Sequence, residues 1–522
     1  MVRACDVISN FLNYHVALSR HRNALLPVFK LPQELLETIF EFACLPNDNE
    51  KKNLFFTALD DKLESSAPPD RPVTPLLIAS VCHAWRNVVM NAPQLWSNIQ
   101  IIISDKHAEK QAEKLRYWLS KSRRHCLTVA LIADEDEDEE ITSTAVIDVV
   151  AAHANRLHSF HVHFFEPWRH ALLGMVNSLH QLVHFTLQAH RYYGPHVHFT
   201  FCTPQLQGFN SFGFDVPHVA LPWTRIEHLD VCCKTKAEYF SIFQHCPRLR
   251  KFTCRLQLQE DQPPFVPSAM TPGSLEVLEL QVITTLDLKH CLEPLTLPML
   301  RSFSLQVTSN WPASKTDLPI SSLLPFIVGS KCILETLSLV CAIPSPDLAE
   351  YLHALPSLRH LLLFDTDGPE SGNYFDQRLL DLMNPKNYLG LEGVGPLAED
   401  SDWMNPSLSR TGIYVQGSPT CLGANLETIF FQGELFIDTL HDLVEFLAYR
   451  WYGTSAGPVI HEKQAQTFKK ILPINPVARK LQSATFNASD FRLEKEDVNI
   501  VQKLCSEGMH VELVLVAPMW KY

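Results

Sequence analysis

The sequence predicts an α/β solenoid, with a small helical module ahead of a long array of strand–turn–helix units. Three observations point there. A six-residue core with apolar side chains at positions 1, 4 and 6 recurs from about residue 155 onward. Stretches of helical periodicity lie between successive copies, and two helix-forming segments carrying large aromatics precede the array. The chain has the material for a large core, since 46% of its 522 residues are apolar and 10% are aromatic. Its formal charge is −13, from 44 Lys and Arg against 57 Asp and Glu. No cationic surplus is available to neutralise a phosphate backbone, so nucleic acid is not an expected partner.

The first 26 residues, with residues 1–24 read as a helical lead, are interrupted by Asn, His and Arg before a signal core or membrane span can form. Fourteen cysteines are scattered through apolar patterns, where the thiol acts as a small hydrophobe. These features lead us to expect a soluble intracellular chain, cytoplasmic or nuclear, with reduced thiols and no membrane partner.

Residues 31–42, LPQELLETIFEF, read as an amphipathic helix with Pro32 at its first position and Leu35, Leu36, Ile39 and Phe40 at i, i+4 spacing. Thr74 and Pro75 open a second helix, PLLIASVCHAWRNVV, with Leu77, Val81, Trp85 and Val88 on one face. Asn91-Ala92-Pro93 ends it, and Leu95 and Trp96 follow. Two short helices cannot bury that much apolar area alone, so the array or a partner must cover part of it.

The order LPxELLxxIF, then VCxxWR, then PxLW resembles the F-box motif. The resemblance implies a three-helix F-box domain over residues 25–95. Its apolar stripe would dock on the small Skp-type adaptor of an SCF ubiquitin ligase, and through it on a cullin. On this pattern the adaptor-binding positions are Leu31, Pro32, Leu35, Ile39, Val81, Cys82 and Trp85. The alternative is that Val81 and Trp85 are core residues of a helical cap. One departure from the family is a turn-flanked insertion at residues 46–74, whose middle, NLFFTALDDKL, could form a short helix.

The array, residues 96–522, has its clearest cores at Leu157, Leu182, Ile226, Leu249, Leu275, Leu300, Leu334, Leu358 and Leu426, with weaker copies at Leu206 and Leu481. From Leu157 to Leu300 the starts lie 25, 24, 20, 23, 26 and 25 residues apart. That matches the roughly 20–29-residue period of leucine-rich repeats. Helical KAEYFSIFQH and SPDLAEYLHA are each followed by proline, Pro247 and Pro356, where the chain turns back toward a strand. No regular Asn or Cys ladder follows the strands, so the expectation is an irregular leucine-rich-repeat arch with a parallel concave sheet. Residues 96–133 read as its first strand, helix and strand, and GMHVELVLV as its last strand. The period breaks over 34 residues after Leu300 and over 68 after Leu358, the latter containing a Gly-, Pro- and Ser-rich stretch near 365–425.

Position 5 of each core points away from the core residues, onto the open sheet face. Its occupants are acidic in the middle of the array, at Asp230 and Glu279, and apolar later, at Leu362 and Phe430. These four are the target-binding candidates. The segment after Leu363 is the alternative cover for the apolar pair.

Other motifs carry less. Residues 453–457 match G-x-S-x-G, but helical DTLHDLVEFLAYRW precedes them and Pro458 follows, the reverse of a nucleophile elbow. His158, His161 and His163 lack a completing Cys or carboxylate, so solvated side chains are expected rather than a metal site. The DEDEDEE run at 134–140 reads as a solvated loop, and the sequon at Asn487 has no secretory context. No Gly-rich phosphate loop occurs and no cofactor is expected. The function expected from the sequence is a non-catalytic substrate-recognition subunit of a ubiquitin ligase, with an unknown target protein. The rival is a repeat scaffold outside any ligase, whose helices only cap its end.

Overall fold

The computed structural model describes residues 26–44, 74–133, 141–189, 203–215, 219–257, 269–282, 285–307, 320–341, 345–364, 375–385, 422–432, 435–437, 439–452, 480–489 and 495–516, with short pieces at 14–15, 17–19, 21–22 and 199–200. The insertion after residue 45, the acidic run 134–140, the 453–457 motif and residues 365–374 and 386–421 lie outside the described residues. The chain forms two compact units, residues 1–214 with 218–222, and 215–217 with 223–522.

The first unit opens with the helical module: α1 (Gln33–Cys44), α2 (Pro75–Val81) and α3 (His83–Asn91), followed by a 3-10 turn at Pro93–Trp96. Leu36, Phe40, Ile78, Ala79, Val88, Val89, Leu95 and Trp96 are its buried core. Trp85 packs on Phe40 with ring centroids 4.9 Å apart, and the Trp96 indole donates to the Val89 carbonyl at 2.9 Å. Thr74 caps α2 by accepting the Leu77 N–H at 3.2 Å.

The single helix expected after Pro75 is in fact two. Cys82 is extended (φ −159°, ψ 169°), and its sulfur accepts the Trp85 N–H at 3.4 Å, capping α3. Arg86 Nε then donates to the Ala79 carbonyl at 3.0 Å, tying the two helices across the break. No glycine or proline marks this break; a cysteine takes the capping role that Ser, Thr, Asp or Asn usually fills.

The rest of the first unit alternates strands with helices: β1 (Asn98–Ile103), α4 (Ala108–Lys121), β2 (Leu127–Ala133), α5 (Ala145–Ala151), β3 (Leu157–Phe164), α6 (Arg169–Met175), β4 (His184–Ala189) and β5 (Gly208–Asp215). The five strands pair in chain order and all pairs are parallel. Phe160, Phe185 and Phe209 stack behind them at 5.9 Å steps.

The second unit continues with β6 (His228–Cys233), α7 (Lys236–His245), β7 (Lys251–Leu256), β8 (Val277–Val282), α8 (Thr285–Leu292) and β9 (Ser302–Val307). Then come α9 (Ile320–Ser330), β10 (Thr336–Val340), α10 (Ser345–Ala354), β11 (His360–Phe364) and α11 (Gln377–Met383). The unit closes with β12 (Thr428–Gln432), α12 (Leu440–Tyr452), β13 (Ser483–Ser489), α13 (Lys495–Ser506) and β14 (His510–Val516). These nine strands also pair parallel and in chain order. α7 carries a capping box, in which Thr235 accepts the Glu238 N–H at 3.0 Å and the Glu238 carboxylate accepts the Thr235 N–H at 3.3 Å.

Register follows the six-position core. Position 4 aligns Leu229, Phe252, Leu278, Phe303, Leu337, Leu361, Ile429 and Ala484 across neighbouring strands, and all are buried. Position 2 supplies a repeating latch. The Glu227 carbonyl accepts the N–H groups of both Arg250 (2.8 Å) and Lys251 (3.0 Å), and the Arg250 carbonyl those of Glu276 (2.8 Å) and Val277 (2.9 Å). The carbonyls of Glu276, Arg301, Glu335, Arg359 and Glu427 do the same for the next unit.

One arginine is fully enclosed. Arg450 on α12 is 1% exposed, and its guanidinium donates to the carbonyls of Gly423 (3.0 Å) and Leu426 (2.7 Å), fixing the turn into β12. Gly423 has φ +60°, and a Cβ there would lie 2.6 Å from Leu426 Cδ1, so this turn requires glycine. Arg450→Ala, which leaves both carbonyls buried without a donor, is expected to lower the unfolding free energy by about 3 kcal/mol. Urea titration monitored by tryptophan fluorescence measures it, and Arg450→Lys should recover only part, because one ammonium replaces a forked donor.

Candidate docking surfaces

Apolar exposure is concentrated in the helical module. Of sixteen large apolar side chains exposed among the described residues, ten precede residue 82. Two lines on neighbouring helices carry the central ones: Leu31 just before α1 with Leu35, Ile39 and Phe42 along it, and Leu77 and Val81 along α2. Leu35 is 50% exposed, Ile39 49% and Val81 60%. Successive helical residues are rotated by about 100°, so the i, i+4 pairs Leu35/Ile39 and Leu36/Phe40 form adjacent lines. Leu36 and Phe40 face the core, and Leu35 and Ile39 do not.

The expected adaptor-binding positions therefore separate. Leu31, Pro32, Leu35, Ile39 and Val81 are exposed; Cys82 is half-buried and caps α3; Trp85 is half-buried against Phe40. Leu76 and Phe42, which sequence reasoning had not singled out, are exposed beside them. Phe42 falls eleven residues after Leu31, about three helical turns on, and was readable from spacing alone. Leu76 has no such signal.

The module also packs on the first repeat helix, and it does so elsewhere. Trp96 meets Trp118 of α4 edge-on at 5.4 Å, and Trp118 packs against the module's core. Capping the array thus uses Trp96 and leaves Leu35, Ile39, Leu77 and Val81 uncovered.

On the sheet, the position-5 residues align as one row in each unit. His161, Thr186 and Asn210 pair in the first, and Asp230, Thr253, Glu279, Ser304, Ser338, Leu362, Phe430 and Thr485 in the second. The acidic candidates are already engaged. Asp230 pairs with Arg255 at 2.9 Å, while Glu279 pairs with Lys251 at 2.8 Å and accepts the Thr253 hydroxyl at 2.8 Å. Burial pushes the Asp230 carboxyl up to about 6, against the opposing pull of Arg255. Leu362 and Phe430 pair directly in register, and Phe364, two residues on and on the same face, lies 4.8 Å from Phe430. Phe364 was missed in the sequence although period-2 spacing places it beside Leu362.

The histidines of β3 are not solvated as a group. His163 is 4% exposed and its Nδ1 accepts the Ala133 N–H at 3.1 Å. Burial pushes His161 down to about 4, so it is neutral near pH 7. β3 is eight residues long and its end is buried on both faces, which encloses His163. Among the described residues no group of three or more His, Cys, Asp or Glu could hold a metal ion, and no helix is long and apolar enough to cross a membrane. No protein-family model and no curated protein matches this chain.

Asp230 gives a pH signature. Between about pH 4 and 6 the folded chain keeps a proton that the unfolded carboxyl, with its ordinary value near 3.8, has released. Stability attributable to this group therefore falls as pH rises through that window. Asp230→Asn cannot titrate. Urea unfolding of both proteins at stepped pH should show the wild type losing about 2 kcal/mol relative to the variant from pH 4 to 6; a pH-independent difference would contradict the assignment.

Proposed function

We propose that this chain is a non-catalytic substrate receptor of an SCF-type ubiquitin ligase, with α1 to α3 acting as an F-box and the parallel repeats, of leucine-rich-repeat type, holding a target protein. The observation that carries the reading is the exposed apolar line through Leu35, Ile39, Leu77 and Val81. Leaving such side chains in water is costly, and concentration on one small module is the mark of a docking face. Five of the seven positions that the F-box pattern assigns to the adaptor, Leu31, Pro32, Leu35, Ile39 and Val81, are exposed. A mere cap for the repeats would use the Trp96 side, which is already buried against α4.

On this reading the chemistry belongs to other subunits. The receptor contributes proximity: tethering the target near the ubiquitin-loaded enzyme converts a bimolecular transfer into an effectively intramolecular one. The Skp-type adaptor and a cullin are the proposed partners, with no cofactor.

Co-purification of the full chain with a Skp-type adaptor tests the reading. Leu35→Asp with Val81→Asp is expected to abolish stoichiometric binding, a loss of at least about a hundredfold in affinity, while leaving the urea midpoint unchanged because both side chains are exposed. Trp85→Ala is unsuitable as a partner-binding probe, since it removes packing on Phe40. Failure of the well-folded wild type to bind would favour the scaffold alternative.

A further inference from the structure

We propose that the open sheet face from β9 to β13 takes an unmodified, uncharged segment of a target protein, anchored by one bulky aliphatic or aromatic side chain on Leu362, Phe364 and Phe430. The occupant's identity as a target rests on the receptor reading; its chemistry rests on the face itself.

The burial pattern alternates along each of β9 to β12, so every second side chain points to the face opposite the core. On that face Leu362 pairs with Phe430, the Phe364 ring packs tilted on Phe430 with centroids 4.8 Å apart, and Val340 pairs with Phe364 on the neighbouring strand. All four are partly exposed. Around this island stand hydroxyls and amides: Ser304, Ser338 and Thr428, with Gln306 and Gln432. Among the described residues of this face His360 is the sole titratable side chain.

The preceding strands differ sharply. β6 to β8 carry Asp230, Lys251, Arg255 and Glu279, but these form ion pairs with one another at 2.9 and 2.8 Å. Among the described residues of this face, a phosphoryl or carboxylate group seated on β9 to β13 would lose its water and meet no Lys or Arg, with His360 as the sole candidate counter-ion, a placement that costs more than it returns. An apolar side chain loses nothing there. An aromatic centre without charge, ringed by polar groups, is also the composition of the buried core and rim of a protein interface. Recognition by this face is therefore matched to an uncharged anchor, and phosphorylation of the bound segment would oppose binding.

The test uses two synthetic libraries of random dodecapeptides against the full chain, one unmodified and one with a central phosphoserine. The unmodified library should yield binders that share one Leu, Ile, Phe, Tyr or Trp at a fixed position and no net charge. Leu362→Ser with Phe430→Ser should weaken them about tenfold or more, whereas Leu35→Asp with Val81→Asp should leave them unchanged. Ser338→Arg, which removes no apolar group, should weaken them as well and guards against a folding defect in the double variant. No binders, binders that require phosphoserine, or binders indifferent to both sets of changes would each overturn the proposal; the first is also the outcome expected if the chain's own segments cover the face. Peptide binding without adaptor binding would remove the ligase reading and leave this site standing.

Discussion

The carbonyl oxygen of the residue that precedes each strand from β6 to β12 accepts two hydrogen bonds, from consecutive N–H groups of the next repeat. From Glu227 to Glu427 this latch recurs seven times in the second unit, and much else depends on it. It fixes where each strand begins relative to its neighbour. Because side chains alternate with period 2, fixing the start also fixes which residues enter the core and which reach the open face. The latch is indifferent to what lies between strands: Glu427 donates to the Arg359 carbonyl at 2.7 Å across 68 residues. An irregular period therefore costs the sheet nothing in register.

The side chains of the same residues reinforce the order. Reading down position 2 gives Glu227, Arg250, Glu276, Arg301, Glu335, Arg359 and Glu427, an alternation of sign, with ion pairs at Arg250–Glu276, Arg301–Glu335 and Arg359–Glu427. Exposed pairs of this kind each contribute about 0–1 kcal/mol. Their greater effect is on specificity, since skipping one repeat would place like charges opposite each other.

Much of this was legible beforehand. The recurrence of apolar residues at positions 1, 4 and 6 located β3 to β13, and α7 and α10 fall where helical periodicity placed them. The alternating charges were equally readable, although position 2 draws no notice in a search for apolar patterns. Other features depend on three-dimensional neighbours. The break at Cys82 rests on a thiol acting as a cap, a role that its residue type does not advertise. The neutralisation of Asp230 by Arg255 joins positions 5 and 7 of adjacent strands, which lie 25 residues apart in the chain. Whether Leu35 or Leu36 faces outward depends on where α2 and α3 pack, and spacing alone cannot decide between two adjacent lines.

The helical module thus meets two demands with two faces. Trp96 and its neighbours join the repeats, and the line through Leu35, Ile39, Leu77 and Val81 stays exposed, the face we propose for docking. Hydrogen exchange of the full chain, with and without a Skp-type adaptor, probes that division directly. The docking model predicts slowed exchange confined to residues 31–44 and 75–82 on adding the adaptor, with the repeat strands unchanged. Unaltered exchange at both segments, or protection appearing only along the strands, would contradict it.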